Sequence, residues 1–295
     1  MATQKSSSTQ LAPAVATVYA VYLLDAQSRN FSAATMQSMR VRVGRFVTWL
    51  QEQGIAQISA VTTADIRRFQ LERQGVVSEI TLHTEARALR AFLNWCVAEG
   101  YIAASPMPKM PRKPTFIKTA MTPAQLRRLL RGADMRESAI VLLLLDTGVR
   151  ASELCSIDVE HIDIANGRIK VRGKWNKERW VYIGARTVKA LLRYWAANGI
   201  EQGAAIRNER NERRCNRHSL FRTLQRMGER TRVEGVSPHA LRRTFAVFHL
   251  RQGVDLYTLA RLMGHEDIAT LKVYLDLADT DAAEAHRRYT LLDEL

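Results

Sequence analysis

The sequence is poor in cysteine and short of acid. Its three cysteines, Cys96, Cys155 and Cys215, stand about sixty residues apart and form no CxxC pair. An odd, scattered set builds neither a disulfide framework nor a zinc module, so reduced thiols in a cytoplasmic protein are expected. There is no GxGxxG run and no phosphate loop, which removes the signatures of the common nucleotide-binding folds. No internal repeat marks a solenoid. No carboxylates cluster in the way a two-metal site requires, so neither a metal nor a cofactor is expected. Long apolar runs are also missing. Residues 11–24 come nearest, but they are too few to span a bilayer, and only Lys5 precedes them as positive charge. Within that stretch Leu11, Val15, Val18 and Tyr22 share one helical face, which predicts an ordinary first helix and no membrane association.

The chain does have an excess of base. Lys and Arg total 44 against 29 acids, a formal charge of +15 and a pI near 10.2. So large an excess costs the fold self-repulsion and fits a polyanionic partner, nucleic acid first among them. Apolar residues at 46% and charged residues at 25% are ordinary for a globular protein. A length of 295 residues is comfortable for two domains, each with its own core.

The pattern along the chain predicts a mostly α fold with a small antiparallel β-sheet. Residues 1–10 are Ser/Thr/Gln-rich and read as disordered, and residues 11–103 read as an all-helical domain. Helices are expected over 34–53, from 63 and over 78–99, with Gly54 and Gly100 as stops. Residues 104–120 hold four prolines with Lys109, Arg112, Lys113 and Lys118 and read as a basic linker. Such a linker either lies along a phosphate backbone, with Lys109, Arg112 and Lys113 as contacts, or is simply solvated; both readings stand. Residues 121–295 form the second domain. Thr122-Pro123 opens a helix, and the all-round apolar run 139–145 predicts a buried one. Asn166-Gly167 signals a hairpin into the alternating strand 168–172, with 180–183 pairing back across a turn at 173–178. From 187 to the end the pattern is helical, with a last helix over 280–295 that Asp281 and Glu284 would open.

The chemistry concentrates between Ser237 and Leu277. Ser237 and Pro238 start a helix that puts His239 and Arg242 on one face near its N-terminus, where free N–H groups and the dipole suit a phosphate. Asp255 caps a short helix stopping at Gly264, His265 follows at once, and Asp267 caps another that carries Tyr274. Each element has an ordinary reading, as a surface arginine or a half-buried tyrosine. The run from Leu259 to Gly264 also fits the turn of a helix-turn-helix.

Upstream phrases bear on that choice. Asp146-Thr147-Gly148-Val149-Arg150-Ala151-Ser152-Glu153-Leu154 and Gly173-Lys174-Trp175-Asn176-Lys177-Glu178-Arg179 precede His239-Ala240-Leu241-Arg242 and Leu262-Met263-Gly264-His265. Together they resemble the tyrosine recombinase, or phage integrase, family, and are most similar to its compact Xer-like and transposon-encoded members. Arg150, Lys174, His239, Arg242, His265 and Tyr274 match that family's active-site order, with Tyr274 nine residues past His265. The resemblance implies an all-helical, SAM-like core-binding domain and an α+β catalytic domain that together clamp DNA. It also implies a 3′-phosphotyrosyl intermediate and four protomers on two double-stranded recombination sites. The chain looks too short for the additional arm-binding domain of larger phage integrases. It departs from the pattern at Arg243, where a second His is common, and at Trp175, where Gly is common.

The residues suit this chemistry on physical grounds too. A tyrosine hydroxyl ordinarily ionises near pH 10, so freeing a phenolate at pH 7 costs about 4 kcal/mol. Two arginines, Arg150 and Arg242, would offset that by stabilising the charge that builds on the non-bridging oxygens. Lys174, on a flexible turn, fits the general acid for the leaving 5′ oxygen. His239 would assist proton transfer at the nucleophile, His265 would hydrogen-bond the phosphate, and Glu153 would orient the site. Lys177, Arg179 and Arg243 are further expected DNA contacts. A type IB topoisomerase or telomere resolvase would share this chemistry, and a helix-turn-helix regulator is the non-enzymatic alternative.

Overall fold

The computed structural model describes residues 13–111, 119–173, 177–209, 211–264, 271 and 274–275. The chain divides into two compact units, Met1–Phe116 and Ile117–Leu295, and the division falls within the proline-rich stretch.

Among its described residues the first unit carries the α-helices α1 (Val15–Ser28), α2 (Ala33–Glu52), α3 (Thr63–Arg73) and α4 (Glu79–Ala98). Their starts are local in origin. Ser32 and Ser78 each accept a hydrogen bond from the backbone N–H three residues on, and Thr62 and Asp65 form a reciprocal capping box. The inward faces bury Val18, Val43, Phe46, Leu50, Ile66, Leu89 and Phe92. Each large side chain so buried contributes about 1.5–3 kcal/mol. Two carboxylates, Asp65 and Glu85, are buried among these helices; Glu85 is paired by Arg45 at 2.5 Å and Arg73 at 3.0 Å, the condition under which a buried charge is tolerated.

The second unit carries α5 (Pro123–Arg131), α6 (Met135–Thr147), α7 (Ala151–Ser156), β1 (Ile162–Asp163), β2 (Arg168–Arg172) and β3 (Glu178–Tyr182). After these come α8 (Ala185–Asn198), α9 (Arg217–Thr231), α10 (Pro238–Arg251) and α11 (Leu256–Met263). As its composition requires, α6 is central: Ala139, Ile140, Val141, Leu143 and Leu144 are fully buried. The three strands form an antiparallel meander in the order β1-β2-β3, with Ile169 opposite Val181 and Val171 opposite Arg179. Ile169, Val171 and Val181 turn inward onto the core. The turn between β2 and β3 closes through Gly173 N–H donating to the Lys177 carbonyl at 2.8 Å.

One expectation is corrected. The chain is not continuously helical from residue 187, because α8 ends at Gly199, which takes the left-handed conformation (φ 56°). The path from there to Asn216 is irregular and held by single bridges, Asp158 to Ala204 and Arg207 to Arg214. Trp195 Nε1 secures it by donating to the Ala205 carbonyl at 2.9 Å. Residues 1–12 and the expected helices at 267 and 280–295 lie outside the described residues, apart from 271, 274 and 275. Among the described residues no helix is long and apolar enough to cross a membrane.

Candidate active site

Arg150 stands between the end of α6 and the start of α7, at the N-cap of the latter. The α6 helix must stop abruptly to put it there, and Gly148 provides the stop at φ 59°. A side chain at this position is excluded twice over, by the left-handed backbone and by Phe245, whose Cδ1 would lie 2.4 Å from an added Cβ. Gly148→Ala should therefore cost about 3 kcal/mol, combining the left-handed penalty with overpacking. In a thermal melt this corresponds to a drop of about 10 °C for a domain of this size. Gly199→Ala, where φ is 56° but nothing lies within 4 Å, should lose only about 1–2 kcal/mol; equal losses would contradict the packing argument.

Glu153, three residues on and only 2% exposed, collects the donors around it. Its Oε2 accepts from the Arg150 backbone N–H at 2.8 Å and its Oε1 from Arg150 Nη1 at 2.9 Å. Arg179 adds a two-pronged pair, Nη1 to Oε1 at 2.9 Å and Nη2 to Oε2 at 3.0 Å. Burial alone would raise the Glu153 pKa, but these hydrogen bonds and the two positive charges hold it below the usual carboxylate value. The remaining terminal nitrogen of Arg150, Nη2, donates to the Gly264 carbonyl at 3.0 Å.

Arg242 comes in from α10, whose start is set by Ser237 accepting from Ala240 N–H and by Pro238 at the first helical position. It is 3% exposed. Its Nη1 donates to the Gly148 carbonyl, and its Nη2 donates to the Met263 carbonyl at 2.9 Å. Two arginines from distant parts of the sequence are thus anchored on carbonyls at the C-terminal ends of α6 and α11. Burial, and next the like charge of Arg150, bring the Arg242 pKa down to about 10, so the guanidinium stays charged at neutral pH.

Tyr274 is half-buried and packs against the apolar cluster that includes Phe245, Leu259, Met263 and Leu271. It lies close enough to Arg242 and Arg243 for its charge to bear on both. His239 is exposed on the first turn of α10. Arg243 is half-buried, and its Nε donates to the Thr119 carbonyl at 2.9 Å. Lys177 and Lys109 are exposed. Lys174, His265, Arg112 and Lys113 lie outside the described residues. The structure therefore gathers Arg150, Glu153, Arg242 and Tyr274 in one region and places Arg179 among them, turned inward. An open cleft of about 880 Å³, lined by Arg150, Ser152, Ser156, Lys170 and Arg172, adjoins Glu153.

The helix-end carbonyls of Gly148, Met263 and Gly264 escaped the sequence reading, since only their acceptor role, not their side chains, matters. The inward turn of Arg179 was signalled: in the alternation of β3 it shares a face with Val181.

Family models place this arrangement. Residues 119–281 match the model described as "Phage integrase family", and residues 19–100 match "Phage integrase, N-terminal SAM-like domain". The tyrosine recombinase XerC of Xanthomonas campestris pv. campestris is 30% identical, over 84% of this chain and 80% of its own. XerA of Saccharolobus solfataricus is 31% identical over 75% and 76%, and XerC of Anoxybacillus flavithermus 29% over 90% and 92%. Among solved structures, a Tn1549 transposon integrase in complex with transposon right end DNA superposes with a TM-score of 0.73 at 20% identity, covering 92% of this chain and 98% of that one. A lambda integrase dimer bound to a core site gives 0.73 at 14% identity, covering 91% and 97%. The chain belongs to the phage integrase family of tyrosine recombinases.

Proposed function

We propose that this recombinase exchanges strands between double-stranded DNA sites with Tyr274 as the nucleophile. The gathering of two anchored arginines, Arg150 and buried Arg242, with Tyr274 close to Arg242 carries the reading. In the reaction the Tyr274 oxygen bonds to phosphorus and the bond to the 5′ oxygen breaks. The tyrosine proton passes to a base, for which exposed His239 on the same helix as Arg242 is the candidate. Lys174 returns a proton to the departing 5′ oxygen. Arg150 and Arg242 balance the charge on the non-bridging oxygens, and the carbonyls that hold them keep them placed before substrate arrives. His265, directly after Gly264, hydrogen-bonds the same phosphate. The ester conserves bond energy, so a second strand reverses the step and religates.

The partner is duplex DNA carrying a recombination site, in keeping with the charge of +15 and with structural neighbours solved on DNA. The active species is a tetramer on two sites. Lys109, Arg112, Lys113, Lys177 and Arg243 contribute to DNA binding.

Supercoiled plasmid, with and without paired cognate sites, separates this from a topoisomerase with the same chemistry. Exchange restricted to paired sites is expected; relaxation of any plasmid would contradict it. Arginines supply the charge here, so cleavage should survive excess EDTA, while binding should weaken steeply with salt as phosphate contacts release counterions. Strict dependence on magnesium would contradict the mechanism.

A further inference from the structure

Arg179 reads from sequence as one more basic residue of the hairpin, aimed at DNA. Its geometry says otherwise. The side chain is 18% exposed and spans both oxygens of Glu153. It lies flat against Gly264, where an added Cβ would meet its Cζ at 2.7 Å. Opposite it in the sheet stands buried Val171. Both terminal nitrogens thus donate to one carboxylate, and the Gly264 backbone covers one face of the guanidinium.

We infer that Arg179 is a positioning residue: by taking the two-pronged pairing with Glu153 it leaves Arg150 only a single-pronged bond to that carboxylate, and thereby presents the Arg150 guanidinium to the scissile phosphate. The charge count supports this. Among the described residues three guanidinium groups, Arg150, Arg179 and Arg242, face one carboxylate, Glu153, leaving two net positive charges. A phenolate attacking a phosphodiester builds about two negative charges at phosphorus, which such a site matches. Without Arg179 the site keeps one. Glu153, still buried and ionised, then has a single cation left, and the preferred geometry of that pair is two-pronged. Arg150 would rotate into it and leave the phosphate. Arg179 also joins three segments, since it follows the turn bearing Lys174, grips the carboxylate that holds Arg150, and packs on the residue before His265. This assignment rests on the strand-exchange reading above.

The test compares Arg179→Ala, Arg179→Lys, Glu153→Gln and the double variant Arg179→Ala/Glu153→Gln in the full chain. Single-turnover cleavage of a bound site and equilibrium DNA binding are both measured. Arg179→Ala should bind with unchanged affinity and salt dependence but cleave about 10²-fold more slowly, the scale of a misplaced catalytic group. Arg179→Lys, which keeps the charge and loses the second prong, should fall between it and the wild type. Removing the carboxylate as well frees Arg150 again, so the double variant should cleave about tenfold faster than Arg179→Ala. A residue that merely holds the fold would give a double variant worse than either single. A DNA contact would give weaker binding, with a salt slope reduced by about one. Either result, or wild-type cleavage by Arg179→Ala, overturns the inference. Melting of the DNA-free proteins supplies an arm that needs no activity. Glu153→Gln leaves three crowded cations and should melt below the double variant, and the reverse order overturns the inference. Absence of covalent adduct in the wild type would instead count against the strand-exchange reading.

Discussion

Tyr274→Phe should bind its site normally and form no covalent DNA adduct. The substitution removes one oxygen and leaves the ring, so packing against the cluster of Phe245, Leu259, Met263 and Leu271 persists and the fold is retained. The reaction has no other route to the ester, because the attacking atom is gone and the surrounding arginines and lysines are not nucleophiles while charged. The loss should therefore be complete within detection, as the disappearance of the SDS-resistant protein–DNA complex. Tyr257 on α11 is the natural control, since it is 65% exposed and its phenylalanine variant should cleave like the wild type. An adduct that survives Tyr274→Phe and vanishes with Tyr257→Phe would move the nucleophile one helix upstream.

The second large effect is expected at Lys174. If its ammonium protonates the leaving 5′ oxygen, Lys174→Ala should bind DNA well and cleave about 10²–10⁴-fold more slowly, the usual worth of general acid catalysis. A bridging sulfur in place of that oxygen changes the requirement, because a thiol ionises near pH 8.5 and the thiolate departs with little need of a donor. The sulfur substrate should thus restore much of the activity lost in Lys174→Ala. It should not rescue Arg150→Ala, whose defect lies at the non-bridging oxygens. Lys177, exposed three residues further along, is the rival donor, and rescue of Lys177→Ala instead would transfer the role to it.

Which parts of this architecture were legible in the sequence follows from what kind of interaction fixes them. Several helix starts were legible because they are local: Ser32, Thr62, Ser78, Thr122, Ser237 and Asp255 each cap the helix they precede through a bond spanning two or three residues. The buried character of α6 was legible from its unbroken apolar run. The segment between α8 and α9 was not, because Gly199 stops the helix while the polar residues beyond keep a helical composition, and the bridge from Ala204 to Asp158 is tertiary. Within the candidate site, residue types and order pointed to Arg150, Arg242 and Tyr274, since the chemistry proposed for each needs its particular side chain. What holds them was hidden. The anchors of Arg242 are backbone carbonyls of Gly148 and Met263, 94 and 21 residues away, and no sequence pattern marks a carbonyl as an acceptor. Arg179 carried two signals: its charge suggests solvent, and its place in β3 on the same face as Val181 turns it toward a buried carboxylate.

Identification of the residue that carries DNA in the trapped complex decides most directly whether Tyr274 is the nucleophile. The complex is denatured, trimmed with nuclease, digested with trypsin and analysed by mass spectrometry. Trypsin isolates residues 273–287 as a peptide in which Tyr274 is the sole tyrosine. That peptide should bear the residual nucleotide mass, with fragmentation placing it on Tyr274 as a 3′-phosphate ester. Nucleotide found on a peptide holding Tyr257 or Tyr289, or on a serine, would contradict the assignment.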